Sequence, residues 1–344
     1  MLRSLALVSV LVLGACGSDR AGSHQSTSNP PPAAAASPSA SAGFMYDAPG
    51  SYPPRYASVS EAWPSDLTLN CRLPVFATPA GNGFVIFPGR TFIADPRSAV
   101  IPPIEPPQGH YSFGVSYDKA FGRWLPVWRT WVSPDGERYA IAYPETEGIH
   151  IYGLASGSET VIGPAHRWDV LAVESEGVYA SVRADSGQGA GLWLLPFAGT
   201  PKQVTAAGYW LAVGGGAAYG PITLQAFAVN TIMRLDLRTG LSQPWFAGRN
   251  AESDVIGFDA AGSPVIQDNF TGPTGAPAKQ IWIVPAPGRG YVIANDLPFF
   301  FGEPVAADQN GIWFSGQDHV YLFVPGRGTF IASSTGGLIA GECA

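Results

Sequence analysis

Five stretches of this chain end alike, with a short apolar run breaking at a glycine. They are Ile149-His-Ile-Tyr-Gly-Leu-Ala-Ser-Gly157, Leu192-Trp-Leu-Leu-Pro-Phe-Ala-Gly199, Ile232-Met-Arg-Leu-Asp-Leu-Arg-Thr-Gly240, Ile281-Trp-Ile-Val-Pro-Ala-Pro-Gly288 and Val320-Tyr-Leu-Phe-Val-Pro-Gly326. The closing glycines recur every 38 to 48 residues, a period within the range of propeller blades. After most of these turns another apolar stretch follows, as in Val161-Ile162, Lys202-Gln-Val204 and Tyr291-Val-Ile-Ala294, so each unit closes in a hairpin. A second series alternates with the first: Trp131-Val-Ser-Pro-Asp-Gly136, Leu171-Ala-Val-Glu-Ser-Glu-Gly177, Leu211-Ala-Val-Gly-Gly-Gly216, Ile256-Gly-Phe-Asp-Ala-Ala-Gly262 and Val305-Ala-Ala-Asp-Gln-Asn-Gly311. A strand follows each of these turns, among them Tyr139-Ala-Ile-Ala-Tyr143, Val178-Tyr-Ala-Ser-Val182 and Ile312-Trp-Phe-Ser315. Four short antiparallel strands per unit describe a propeller blade.

Five regular units begin near Ser112, His166, Tyr209, Asp254 and Pro298, after a less regular one from about Leu67 to Gly109. The expected fold is therefore an all-β, six-bladed β-propeller over residues 61–344, with seven blades as the alternative. The first unit is one strand short, and the tail Gly336-Gly-Leu-Ile-Ala-Gly-Glu-Cys343 leaves one extended segment over. Pairing that tail with the first unit would close the ring and remove two open sheet edges. Charged residues make up 13% of the chain, while glycine and proline number 42 and 32, a balance that favours turns over long helices.

The residues before Cys16 have a different character. Met1-Leu-Arg3 gives a basic start, an apolar run from Leu5 is too short to span a bilayer, and Leu13-Gly14-Ala15 ends in small residues. With a cysteine directly behind it, this segment resembles a bacterial lipoprotein signal. The resemblance implies that residues 1–15 are removed and that Cys16 carries a diacylglycerol, so the protein is exported and lipid-anchored on the extracytoplasmic side of a bacterial membrane. Residues 16–60, rich in Ser, Ala and Pro, hold too little apolar surface to order themselves. They read as a disordered tether with a root-mean-square reach on the order of 35 Å. If Cys16 is lipidated, Cys71 and Cys343 remain as an even pair outside the cytoplasm, where a disulfide persists. One opens the folded region and the other nearly ends the chain, so a bridge between them would lock the closure.

The stretch Trp131-Val-Ser-Pro-Asp-Gly-Glu-Arg-Tyr-Ala-Ile141 resembles the WSPDG-type repeat of TolB-like propellers. That family carries an α/β domain ahead of its propeller, and here the Ser/Ala/Pro-rich tether stands in that place. Asp135 and Gly136 suit a tight turn, since glycine accepts positive φ and aspartate bonds nearby backbone.

Chemistry-bearing motifs are scarce. His24, His110, His150, His166 and His319 form no close metal-binding pair, and Gly153-Leu-Ala-Ser156-Gly157 misplaces its serine for a nucleophile elbow. Gly187-Gln-Gly189-Ala-Gly191 precedes a strand instead of opening a helix, which removes the dinucleotide reading. Glu145, Glu147 and Asp185 fall in loops as solvated charges. Trp131, Trp193, Trp282 and Trp313 recur at positions that pack blade on blade, whereas Trp124, Trp128, Phe299, Phe300 and Phe301 fall in irregular segments and are the candidate rim or binding aromatics. No cofactor and no metal are expected. The net charge of −7, dispersed and without a basic cluster, gives no nucleic-acid surface. The expected function is a non-catalytic envelope module that binds a protein or a small extracellular ligand. The alternative is an extracytoplasmic hydrolase or lyase with its site at the channel mouth. Replacing Cys16 with Ser should move the protein from the membrane to the soluble fraction and abolish lipid labelling; unchanged membrane attachment would overturn the anchor.

Overall fold

Strands near the centre of each blade are apolar along their whole length because both faces are covered. Val320–Val324 shows the cause: Val320 and Leu322 pack into one cluster, Tyr321 and Phe323 into another on the opposite face, and all four are buried. Two-sided burial replaces the polar alternation of a half-exposed strand. The outermost strands face solvent, and Glu159–Ile162 and Lys202–Thr205 are exposed or half-buried along their length.

A computed structural model describes residues 59–77, 80–97, 99, 114–144, 146–182, 190–221, 231–248, 252–271, 277–298, 305–316 and 318–344. Their sheets form a six-bladed β-propeller. Blades 3, 4 and 5 are antiparallel meanders of four strands, opening respectively on the inner strands Trp168–Val173, Ala212–Gly214 and Glu252–Phe258. Blade 2 contains Arg138–Ile141, Ile149–Gly153 and Glu159–Ile162, with Val132 bridged to Tyr139 in the inner position. Blade 6 runs from Ala306–Asp308 through Gly311–Ser315 and Val320–Val324 to Gly328–Ser333. Blade 1 is assembled from both ends of the domain: Arg72–Ala77, Gly81–Ile86 and Thr91–Ala94 pair with the C-terminal strand Leu338–Ile339.

That closure is the expected one, and several bonds hold it. Val75 and Phe76 pair with Ile339 and Leu338, the Arg72 amide donates to the Ala344 carbonyl at 2.8 Å, and the Ala344 amide returns a bond to the Arg72 carbonyl at 3.2 Å. Cys71 and Cys343 form a disulfide with their Cα atoms 5.4 Å apart. Asp308 ties the clasp to blade 6, since its Oδ2 accepts from the Cys343 amide at 3.0 Å and from the Trp313 indole at 2.8 Å. Trp313 itself is wholly buried in the cluster shared by blades 6 and 1.

Two features depart from the sequence reading. Val59–Ser60 pairs in parallel with Thr329 and Phe330, adding a fifth strand to the outer edge of blade 6, so the sheet begins two residues ahead of the boundary at 61. Just after it, Trp63 stacks on Phe87 and meets Phe330 edge-on, with the Arg90 guanidinium over its ring. Second, the start of blade 2 moves from the neighbourhood of Ser112 to Val132. Residues Ser116–Asp118 and Arg123–Leu125 form a separate two-stranded hairpin that pairs with no blade strand. Leu125 and Val127 pack on blade 2, while Val115 and Trp124 pack beside Phe84 of blade 1, so the hairpin fills the seam between those blades.

A bridge 272 residues apart in sequence restricts the unfolded chain strongly, by roughly 5–6 kcal/mol in the chain-entropy account. Replacing Cys71 and Cys343 together with Ser should lower the melting temperature on the order of 10 °C for a domain of this size. A melt within error of the native one would mean that the clasp adds nothing to the strand pairing.

Candidate functional site

Side chains on an inner strand alternate between the blade core and the channel. The second repeat series begins at Trp131, Leu171, Leu211, Ile256 and Val305, and all five line one cavity of about 260 Å³. The same position in blades 2 to 6 thus converges on the channel as an apolar collar. Val255 and Ile256 both border the cavity, and they also pack into the cores on either side of blade 5. Beside the collar the cavity adds Trp128, Arg129, Thr130 and Asp254. Asp254 lies two residues before Ile256, where the strand bulges, and Leu171 sits at the corresponding bulge of blade 3. Trp128 precedes a single 3-10 turn, Arg129–Trp131, and its ring lies so close to the Gly114 α-carbon that a side chain there would clash.

A second cavity of about 260 Å³ lies where the Ser-Pro-Asp-Gly turn of blade 2 meets the inserted hairpin, blade 1 and the C-terminal tail. Asp118, Asp135, Gly136, Lys119 and Glu342 line it, and Arg129 lines both cavities. The Ser-Pro-Asp-Gly turn is built here. The Asp135 carboxylate accepts from the Ser133 hydroxyl at 2.5 Å and from the Glu137 amide at 2.9 Å, and these bonds, the hydroxyl first, hold its carboxyl below the ordinary range. Gly136 has a φ of +72°, and a β-carbon there would lie 2.8 Å from Oδ2 of Asp118. Glycine is needed for the turn and for the close approach of the inserted hairpin. Lys119 pairs with Glu342 at 3.1 Å.

Trp128 lines the channel cavity, but Trp124 is no rim residue. It is wholly buried, meets Phe84 and Tyr117 in an aromatic cluster, and donates its indole N–H to Asp95 at 3.0 Å. The apolar face and the polar edge of the ring are both engaged by the fold. Phe299, Phe300, Phe301 and Cys16 lie outside the described residues, as do His24, His110, Glu145 and Asp185. Of the four repeat tryptophans, Trp282 and Trp313 are buried between blades and Trp193 packs edge-on against Trp168. Trp131 differs, because it also borders the channel.

His150 is a buried strand residue whose Nδ1 lies 2.5 Å from Oε1 of Glu159 and whose Nε2 is 3.1 Å from the Thr146 hydroxyl. Beside it the Tyr143 and Tyr152 hydroxyls meet at 3.1 Å, and burial pushes both phenols above their ordinary range. This group lines neither cavity. Among the described residues, no three His, Cys, Asp or Glu side chains come close enough to share a metal ion.

The repeat alone does not reveal that the collar residues border the cavity. A signal was present, since an apolar position recurs five or six residues before the turn glycine in all five units. Arg129 and Asp254 had no comparable signal, because polar residues near turns are common.

No family model matches the chain, and no curated protein does. Among solved structures it is similar to a putative TolB from Agrobacterium tumefaciens, at 22% identity over 60% of this chain and 81% of that one, with a TM-score of 0.43. It is also similar to TolB from Acinetobacter baumannii, at 12% identity over 79% of this chain and 66% of that one, with a TM-score of 0.45. At such identities the likeness is one of fold. The ring of six blades rests on the strand order itself.

The Asp95 carboxyl is held well below the usual range, first by the Arg97 guanidinium at 2.6 Å and further by the Trp124 indole. A depressed carboxyl contributes stability that is complete above its unfolded pKa of about 4 and is lost as pH falls toward the folded value. The melting temperature of Asp95→Asn should therefore lie below that of the native protein at about pH 6, and the gap should shrink toward about pH 2. A gap independent of pH would mean that the charge of Asp95 does not support the hairpin.

Proposed function

We propose that this protein is an exported, lipid-anchored envelope module that binds a protein partner without catalysis, taking an apolar segment of that partner into the channel mouth. The observation that carries the reading is the collar of Trp131, Leu171, Leu211, Ile256 and Val305. Apolar and aromatic walls with few polar groups suit burial of a hydrophobic anchor. Among the described residues lining the cavity, Asp254 is the one carboxylate, whereas a hydrolase or lyase needs a convergent acid pair or a metal. Asp254, among the residues lining the cavity, favours a partner segment with a basic residue beside its apolar anchor. The lipoprotein-like start and the Ser/Ala/Pro-rich stretch after it support an anchor at Cys16 and a tether that gives the ring its reach.

A photo-crosslinking residue at Thr130, beside the collar, should capture one protein in intact cells. The same residue at Leu241, which is 72% exposed in a turn at the other end, should not. Leu211→Asp, checked for an unchanged fold by its melt, should weaken capture roughly tenfold, a loss of about 1.4 kcal/mol. Equal adducts from both positions, or a glycan or metabolite in place of a protein, would overturn the reading.

A further inference from the structure

The cavity at the Ser-Pro-Asp-Gly turn has filled acceptors and open donors. Three side-chain carboxylates border it, and each already receives a hydrogen bond: Asp118 from the Phe121 amide at 2.9 Å, Asp135 from the Ser133 hydroxyl and the Glu137 amide, and Glu342 from Lys119 at 3.1 Å. Ala344, also on the cavity, accepts the Arg72 amide at 2.8 Å. The two guanidiniums that border the same space have no carboxylate partner among the described residues. Arg129 donates to the Val132 carbonyl at 3.3 Å, and Arg72 lies over the Phe84 ring, 4.1 Å from its centroid. Phe84 is itself held by Tyr117, edge-on at 5.0 Å, and by Trp124. A guanidinium stacked by its face keeps its edge N–H groups for the planar fork that matches a carboxylate. The ring beneath Arg72 thus sets that fork before any ligand arrives.

We infer that this cavity receives an acidic side chain of the same protein partner whose apolar segment enters the collar, and that Arg72 and Arg129 select it. The inference rests on the reading of the collar as a protein-binding mouth. Arg129 lines both cavities, so one guanidinium is the boundary they share. An extended segment advances about 3.3 Å per residue, so an acidic residue about two or three places from the apolar anchor reaches past one arginine side chain. Asp254, in the collar cavity, suits the opposite charge. The partner segment therefore carries an acidic residue on the Arg129 side of its anchor and a basic one toward Asp254, and the two charges set the direction in which it lies.

The test places a photo-crosslinking residue in the full chain, in intact cells, either at Ala120, which is exposed on the second cavity, or at Thr130 beside the collar. Both positions should capture the same protein. Mass mapping should put the Ala120 adduct within a few residues of the Thr130 adduct, on a peptide that contains Asp or Glu. Arg72→Gln, at an exposed position that opens its strand, should leave the melt unchanged and lower both adducts roughly tenfold. Arg129→Gln gives the same readout from the other guanidinium, and Arg72→Lys, which keeps the charge but not the fork, should recover part of the loss. Thr130 adducts unaffected by both glutamine variants, as a small free carboxylate filling the cavity would leave them, would overturn the inference. A different protein at Ala120, or an adduct there on a peptide without an acidic residue, would do the same. Failure of the native chain to capture one protein from Thr130 would instead overturn the collar reading beneath it.

Discussion

Closure of the ring is the constraint on which everything else in this fold depends. Each seam between blades is a dry cluster, and an open ring would expose two of those faces at once: Leu73, Val75 and Val85 on one side, Trp313, Val320 and Leu322 on the other. At about 2 kcal/mol for each large apolar side chain removed from water, that exposure is ruinous for a domain of ordinary stability. Two residues of strand, Leu338 and Ile339, carry the junction. They are reinforced by Asp308, which binds the Trp313 indole and the Cys343 amide through one carboxylate oxygen. The collar inherits this dependence, because its five residues come from five blades and meet only while the circle holds.

The seam between blades 1 and 2 shows how core and site share one segment. Other seams are filled by the facing strands themselves, as where Ala140, Ile149 and Ile151 meet Trp168, Val170 and Leu195. Here a hairpin supplies the filling, with Trp124 pinned to Asp95 and Leu125 and Val127 sunk against blade 2. The chain then runs directly into Trp128 and the turn that places Arg129 and Trp131 at the channel. Packing of the hairpin therefore sets the position of the aromatic part of the mouth.

What the sequence revealed follows from which constraints act locally. Strand and turn are local, so the spacing of Gly157, Gly199, Gly240, Gly288 and Gly326 disclosed the blades and their number. The closure was legible from a count, one unit short of a strand and one segment left over. Trp124 and Trp128 could not be separated by composition, since four residues and the same irregular run hold both. Only the three-residue strand Arg123–Leu125 decides that Trp124 turns into the core. The parallel pairing of Val59–Ser60 was hidden for a related reason: two residues leave no periodic trace, and their partner strand lies some 270 positions away.

Conservation of type around the collar is uneven in an informative way. Turn positions are restricted by backbone geometry, so Gly136, Gly177, Gly216, Gly262 and Gly311 are the same residue throughout. Collar positions need only be apolar, and they vary from Trp131 through Leu171, Leu211 and Ile256 to Val305. Blades 2 and 5 stand opposite each other in a ring of six, so the wall with Trp128, Arg129 and Trp131 faces the wall with Asp254 and Ile256 across the channel. A ring built from repeats thereby presents an asymmetric mouth, aromatic on one side and acidic on the other. Such a mouth can tell the two orientations of an inserted segment apart, a selectivity that five identical collar residues would not provide.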